Sequence, residues 1–365
     1  QPDVSPSWLM VATITIEGTP FTLTKPVRYK FTDPVRGELY EPLVVLPAME
    51  LSFENENYLS VNGKEVNTGL HFRSNRKDTA TYKYDYTVSK NWRVDKQVGP
   101  VVLNGTKDLP RSDVFTPAKQ FVNGKETITA VATGGGETYE HYRRFISYDH
   151  IPYINYFKHS TANLVSVDVK TYGKKIGYIT GAGDKVPDAL EAMGYEVTIL
   201  GSKDMARVNL AQFDAIITGV RAYNTNDWMN EYYDKLMKYV NDGGNLIVQY
   251  NTSNQIGPVR AKISPYPFEI TRTRVTDENA EMRIVRPEHP ALNFPNVITA
   301  DDFKGWIQER SIYHAAGLDK HFETIFSIND PGEKADEGSL IIAPYGKGFF
   351  TYTGLVFFRE LPAGV

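Results

Sequence analysis

The chain predicts a multi-domain β plus α/β protein, with an antiparallel β-sandwich in roughly its first 160 residues and a parallel α/β domain after it. Three observations predict this. From Lys174 to Thr252, apolar runs of four to six residues alternate with amphipathic stretches, which marks a parallel sheet with helices on its faces. Before about residue 160 there is no long helical period; apolar and polar residues alternate instead. Turn signals recur in that first part at Glu17-Gly18, Asn62-Gly63, Asn104-Gly105 and Asn123-Gly124, a spacing that suits short antiparallel strands.

The elements follow in order. Residues 11–17 and 21–24 alternate, and 1–45 is predicted to be a strand pair left from an upstream domain, with Pro42 and Pro47 bracketing the junction. Residues 46–160 are predicted to be an Ig-like sandwich. Within it, 80–88 puts Tyr82, Tyr84 and Tyr86 on one face, and 127–133 ends at Gly134-Gly135-Gly136. Residues 148–160, with Tyr153, Tyr156 and Phe157, read as a connector that packs against a domain; the boundary is expected within 150–173.

The α/β domain is predicted over 164–365. Residues 174–184 read as a buried strand running into a glycine turn, and 186–193 as a helix stopped by Gly194. Strands follow at 196–200, 214–218 and 245–249, with a polar loop at 219–226 and a helix at 232–240 closed by Asp242-Gly243-Gly244. Pro258, Pro265 and Pro267 break any long helix beyond. Short strands are expected at 274–276 and 282–285, then at 339–343 and 348–354 about the turn 345–347. There is no initiator Met before Gln1-Pro2-Asp3. At the other end only nine residues follow 348–356, where a closing helix is expected. Both ends read as those of a piece of a longer polypeptide.

In parallel α/β sheets ligands bind beyond the carboxyl ends of the strands. That rule collects Asp184, Arg221, Tyr223, Asn224, Tyr250 and Asn251 along one rim, with Trp306, Glu309 and Arg310 arriving from a later segment. Arg221, Tyr223, Asn224, Tyr250, Asn251, Trp306, Glu309 and Arg310 are the predicted ligand-binding set: guanidinium for negative charge, amides for hydroxyls, rings for apolar faces. Two other readings stay open. Asn224 and Asn226 suit the cap of a following helix, and Glu309–Arg310 suits a structural ion pair beside a buried Trp.

No catalytic residue is assigned. The chain has no cysteine, so a thiolate nucleophile is impossible, and no Gly-x-Ser-x-Gly elbow occurs. No metal site is predicted, because no His-Glu-x-x-His or similar spacing exists. His150 and His159 lie near the connector, and His289 reads as a loop histidine that caps or packs. Gly181-Ala182-Gly183-Asp184 lacks the third glycine of a dinucleotide fingerprint, so nucleotide binding is rejected and Asp184 is taken as an N-cap.

A net charge of −4 and a pI near 6.0 argue against nucleic-acid binding. No apolar run approaches the ~20 residues that span a bilayer. The 23 tyrosines suit either sugar-stacking surfaces or simply a β-rich fold.

The α/β pattern resembles the glutamine-amidotransferase-like (flavodoxin-like) class. There, a strand after a Gly-Gly turn delivers a cysteine nucleophile; Gln249-Tyr250-Asn251 holds that place here. Longer strings carry a more specific likeness: Gly18-Thr-Pro-Phe-Thr-Leu-Thr24, Asp33-Pro-Val-Arg-Gly-Glu38, Tyr148-Asp-His-Ile-Pro152, Gly177-Tyr-Ile-Thr-Gly-Ala-Gly-Asp184, Ile217-Thr-Gly-Val-Arg-Ala-Tyr-Asn-Thr225, Trp306-Ile-Gln-Glu-Arg310, Asn329-Asp-Pro-Gly-Glu-Lys334 and Phe357-Phe-Arg-Glu-Leu-Pro-Ala-Gly364. In this order they resemble the C-terminal, non-catalytic half of large bacterial PIG-L (LmbE-like) family deacetylases. The resemblance implies an accessory region of a hydrolase acting on N-acetylated sugars, periplasmic or secreted. Its partners would be an upstream deacetylase domain of the same polypeptide and a glycan, with no nucleic acid and no membrane span. The family's zinc belongs to a His-Pro-Asp-Asp motif, and the only His-Pro here, His289-Pro290, runs into Ala291-Leu292. No cofactor is therefore expected in this chain, and zinc only in the upstream domain. The rival readings are an independent ThuA-like sugar hydrolase using Glu309, His289 or Asp184, and a purely structural assembly domain.

Overall fold

The computed structural model describes residues 6–148, 150–151, 153–256, 259–260 and 262–364. Gln1, Pro2, Asp3, Asp149, Pro152 and Pro258, used above, lie outside them. The chain is β-rich, 44% strand and 14% helix. It divides into two compact units: 1–58 with 63–165, and 59–62 with 166–365. Residues 161–165 thus fall in the first unit and 59–62 in the second. The stretch expected to be a connector contains the strand Ile154–His159, paired antiparallel with His141–Ile146.

The first unit opens with two hairpins, Leu9–Ile16 with Thr19–Pro26 and Arg28–Asp33 with Gly37–Pro42. Met10, Val11 and Leu23 of the first hairpin and the adjacent Trp8 lie open to solvent. One sheet then orders Met49–Phe53, Val66–Ser74, Asp108–Pro117 and Trp92–Asp95. Another orders Val101–Asn104, Thr79–Thr87, Gly124–Gly134, Thr161–Val167 and Asn57–Val61, with Glu137–Tyr139 added beside 124–134. Period-two burial aims alternate residues inward, so Leu51, Leu70, Phe72, Tyr82, Phe115 and Ile128 form one core. Each such side chain contributes roughly 1.5–3 kcal/mol. Asp113 sits fully buried in this unit and accepts from the Tyr84 hydroxyl (3.1 Å), the Tyr86 hydroxyl (2.6 Å) and the Gln97 N–H (2.7 Å). Glu17-Gly18 turns between paired strands, but Asn62-Gly63 and Asn104-Gly105 carry the chain from one sheet to the other. Turn chemistry sets where the backbone reverses, not which strand it pairs with next.

The second unit is built on a seven-stranded sheet ordered Glu196–Ile199, Lys175–Ile179, Ala215–Thr218, Asn245–Gln249, Gly348–Thr353, Leu340–Tyr345 and Glu323–Thr324. The first five strands, including all those within 174–252, are mutually parallel, and Leu340–Tyr345 runs antiparallel to both its neighbours, so the sheet as a whole is mixed. Helix Tyr233–Asn241 buries Leu236, Met237, Tyr239 and Val240 in a core with Leu246, Val248 and Phe350. Ile176 and Tyr178, on alternate positions of their strand, pack instead with Val186 and Leu190 of helix Val186–Ala192 and with Leu361. Pro187 sits in that helix's first turn, where its missing N–H costs nothing, and Gly194 follows the helix at φ 96°. The strand expected over 348–354 stops at Thr353, and helix Phe357–Ala363 closes the chain. A closing helix was expected after 348–356, and it occupies that short segment, where Phe357, Phe358 and Leu361 share helical spacing. Helix Ser202–Arg207 was unforeseen; the Asp204 carboxylate accepts the Gly201 N–H at 3.0 Å at its start.

Candidate functional site

The site lies within the second unit, at the carboxyl ends of the 175–179, 215–218 and 245–249 strands. Glycines let two of these ends meet. A Cβ on Gly181 would stand 2.0 Å from the Val220 carbonyl oxygen, and one on Gly219 would stand 2.9 Å from Asp184 Oδ2. The Gly-x-Gly pattern thus serves loop-to-loop packing. Asp184 joins the loops: Oδ1 accepts from the Tyr178 hydroxyl (2.6 Å) and Val186 N–H (3.1 Å), and Oδ2 from Val220 N–H (3.2 Å). Its bond to Val186 is cap-like, as the sequence suggested, although Lys185 stands at the cap position. Gln249 Nε2 donates to the Tyr178 hydroxyl (3.0 Å) and the Thr218 carbonyl (3.3 Å). Burial, then the Asp184 carboxylate, push the Tyr178 hydroxyl far above its ordinary value, so it remains a donor.

On this base stands an aromatic and charged rim. Tyr250 and Tyr313 stack at 5.4 Å and 10°, and Phe358 tilts against Tyr250 at 5.4 Å. Burial raises the Tyr250 hydroxyl while Arg221 and Arg359 pull it down, so both cations act on one phenol. Arg221 is exposed and makes no side-chain hydrogen bond or ion pair among the described residues; its N–H donates to Tyr250 O at 2.8 Å. Glu309 takes a 3.2 Å bond from Arg359 Nε.

Five non-glycine residues have positive φ among the described residues. Glu17 and Asn62 each precede the glycine of a tight turn. The other three, Arg221 (60°), Gln308 (70°) and Tyr313 (54°), lie on the loops that carry this rim. Such backbone costs on the order of 1–3 kcal/mol per residue and collects at functional sites.

Four of the predicted site residues are interior instead. Tyr223 is 1% exposed, because the loop turns into the helix Ala222–Thr225 and swings the ring into the core. Asn251 is fully buried, bonding Tyr223 N–H (3.0 Å) and the Gln249 carbonyl (3.1 Å). Trp306 packs on Phe303 and Phe357 and donates to Asp302 O (3.1 Å). Arg310 is 5% exposed and donates to the Ala280 (3.0 Å) and Phe303 carbonyls, so it makes no clamp with Glu309. Asn224 is half-buried and ties 252–253, its Oδ1 accepting Thr252 N–H at 2.8 Å; Asn226 donates to Thr180 O at 2.7 Å. Neither side chain caps a helix. Arg221, Tyr250 and Glu309 keep the rim. Tyr313, Arg359 and Gln308 join it without having been foreseen, since stacking and the sign of φ leave no linear signal.

Beneath Tyr313 lies another unforeseen group. His314 Nδ1 meets Asp336 Oδ1 at 2.5 Å and Nε2 meets Ser311 Oγ at 2.7 Å. The spacing is that of a Ser–His–Asp relay. Ser311 and His314 are fully buried, however, so no substrate reaches the hydroxyl; the group fixes the loop that presents Tyr313. The carboxylates and histidine considered for a catalytic rim do not converge. Asp184 is engaged as above, Glu309 pairs with Arg359, and His289 caps Ala291 N–H through Nδ1 (3.1 Å) and pairs with Glu323 (3.3 Å). His289 lines a cavity of about 1460 Å³ at the amino ends of the strands, with Asp214, Gly244, Ile217, Ile247 and Phe294. We place the site at the opposite rim, where the left-handed residues Arg221, Gln308 and Tyr313 gather.

Glu360 anchors the rim loop, accepting Ile307 N–H at 3.1 Å. Burial raises its carboxyl to about 6 against that bond and the attraction of Arg310 and Arg359. The folded state therefore holds this proton more tightly than the unfolded chain, whose value is about 4.3. The contribution to stability is full below that value and is lost as pH rises through about 6. Glu360→Gln is expected to gain about 1–2 kcal/mol at pH 7.5 and nothing at pH 4. Urea midpoints at the two pH values check this; equal effects at both would exclude it.

No protein-family model matches the chain, and no curated protein matches it. Solved structures show faint likenesses. A FixG-related protein from Vibrio parahaemolyticus is 10% identical, covering 33% of this chain and 98% of that one at a TM-score of 0.23. A protein of unknown function from Porphyromonas gingivalis W83 is 10% identical over 37% and 60%, at 0.22. A family 123 glycoside hydrolase from Clostridium perfringens is 8% identical over 56% and 38%, at 0.20. Likenesses this faint carry no argument about function.

Proposed function

We propose that the chain is a non-catalytic accessory region that binds a hydroxylated or anionic partner, a glycan above all, at the Arg221–Tyr250–Tyr313 rim. In this reading the first unit is an Ig-like sandwich and the second a glutamine-amidotransferase-like α/β layer without a nucleophile. The whole would serve an exported PIG-L-type deacetylase whose zinc domain lies upstream. The observation that carries the binding reading is that Arg221, Gln308 and Tyr313 are all left-handed, with Tyr313 stacked on Tyr250 and the Arg221 side chain unpaired among the described residues. The open apolar side chains of the 9–26 hairpin support a neighbouring domain as partner.

The test uses calorimetric titration with N-acetylglucosamine oligosaccharides and their de-N-acetylated forms. Arg221→Ala is expected to weaken binding at least about tenfold, in the range of an interface hot spot. Stability should move by no more than about 0.5 kcal/mol, because the exposed guanidinium leaves no buried partner behind. Absence of binding by the wild type, together with a large loss of stability in the variant, would end this reading. The assembly reading is favoured by one observation, the apolar side chains Ile217, Ile247 and Phe294 in the cavity, and would show instead as self-association in sedimentation.

A further inference from the structure

Among the described residues, Glu140, His141 and His159 are the one group of three His, Asp or Glu side chains whose donor atoms all lie within 4.8 Å of one another. They belong to the first unit and to no site described so far. His141 and His159 stand opposite each other in the antiparallel ladder of His141–Ile146 with Ile154–His159. The Ser160 N–H donates to Glu140 O at 2.7 Å, which makes 140 and 160 a hydrogen-bonded pair. Alternation then makes 141 and 159 the non-hydrogen-bonded pair, in which Cα atoms approach to about 4.5 Å and side chains lie closest. The two imidazoles accordingly sit with centroids 4.0 Å apart and planes at 42°. Glu140, at the break between two strands, brings its Oε1 to 3.8 Å from His159 Nδ1. Glu140 and His141 are half-buried and His159 is exposed, so the group opens to solvent on one side.

We propose that Glu140, His141 and His159 form a binding site for a divalent first-row transition metal, Zn2+ or its neighbours. Two imidazole nitrogens and one carboxylate are the donors such ions take, at about 2.0–2.2 Å each. A tetrahedral ion at those bond lengths needs its donors about 3.3 Å apart. The present separations close to that value by rotation of side chains alone, since the ladder already fixes both histidine Cα positions. Three protein donors leave a coordination position facing solvent, which an anionic oxygen or water fills. Linear spacing hid the site because its histidines are 18 residues apart and meet only through strand pairing.

The experiment titrates the metal-stripped full chain with ZnCl2 by calorimetry and with CoCl2 by visible absorption. One equivalent is expected to bind saturably, with the cobalt spectrum of a low-symmetry nitrogen–oxygen site. His159→Ala and His141→Ala are each expected to weaken binding at least about tenfold, since even outer partners of a metal site are worth that much. His71→Ala, which removes a histidine paired with Asp108 elsewhere in the same unit, should bind as the wild type does. Circular dichroism of each variant confirms that loss of binding is not loss of fold. Absence of saturable binding overturns the proposal. So does binding that both site variants retain, or that His71→Ala removes equally.

Discussion

Asp113→Ala will cost the first unit on the order of 4–6 kcal/mol. Asp113 is fully buried and is the shared acceptor of two tyrosine hydroxyls and one backbone N–H. The Tyr86 hydroxyl is a buried donor and the Tyr84 hydroxyl and Gln97 N–H are half-buried ones; each left without an acceptor costs up to about 1–3 kcal/mol. Tyr86 suffers most, because its ring is packed between Phe53 and Phe115 and cannot swing out to water. Asp113→Asn keeps one acceptor oxygen and should cost about half as much. Native-state hydrogen exchange is the measurement of choice, since it reports each unit separately. Amides of the 66–74 and 108–117 strands should lose protection while those of 245–249 keep theirs. A loss below about 1 kcal/mol would show that Asp113 is not the keystone of this core.

The second large effect is expected at His314. His314→Ala removes the bridge between Ser311 and Asp336, and a buried pair broken on one side costs about 3–5 kcal/mol. Burial pushes the Asp336 carboxyl up, but the His314 bond and the Gly338 N–H outweigh it and hold the carboxyl below its ordinary value. A depressed carboxylate contributes stability that is present above the unfolded value of about 3.9 and is lost as pH falls through the folded value. The gap between wild type and variant should therefore narrow in acid, as read from denaturation midpoints at pH 7 and pH 3. A gap that stays constant would show that the Asp336 carboxylate contributes nothing and that packing alone holds the loop. Were the relay catalytic, Ser311→Ala would abolish a hydrolytic activity; buried as it is, the expected result is only a modest loss of stability.

What the sequence made legible follows the range of the forces involved. The 175–179, 215–218 and 245–249 strands stand out because a strand buried on both faces needs a continuous apolar run, which is a local property. Arg221 and Tyr250 fall on the rim because the carboxyl-end rule needs only strand order, and Glu309 reaches it from the later 306–310 segment. Tyr223 and Asn251 were misplaced because a four-residue helical turn decides which way a loop side chain points. Trp306 and Arg310 look like a clamp in the linear chain, yet Arg310 satisfies carbonyls of Ala280 and Phe303 that only the fold brings near. Ser311, His314 and Asp336, like Glu140, His141 and His159, meet through contacts spanning up to 22 residues, so no periodicity announces them.

Arg221, Gln308 and Tyr313 have a consequence for whatever arrives at the rim. A residue in the left-handed well has few neighbouring conformations to visit, and these loops are also tied by Asp184, Asn224, Glu360 and His314. The rim is thus preorganised: its ordering entropy is spent during folding, before any partner is met. Recognition on such a surface works by matching a fixed template, with free and occupied forms nearly superposable. In the proposed binding role, selectivity would rest on the spacing between one guanidinium and one pair of stacked rings, a ruler that an adaptable loop would not provide.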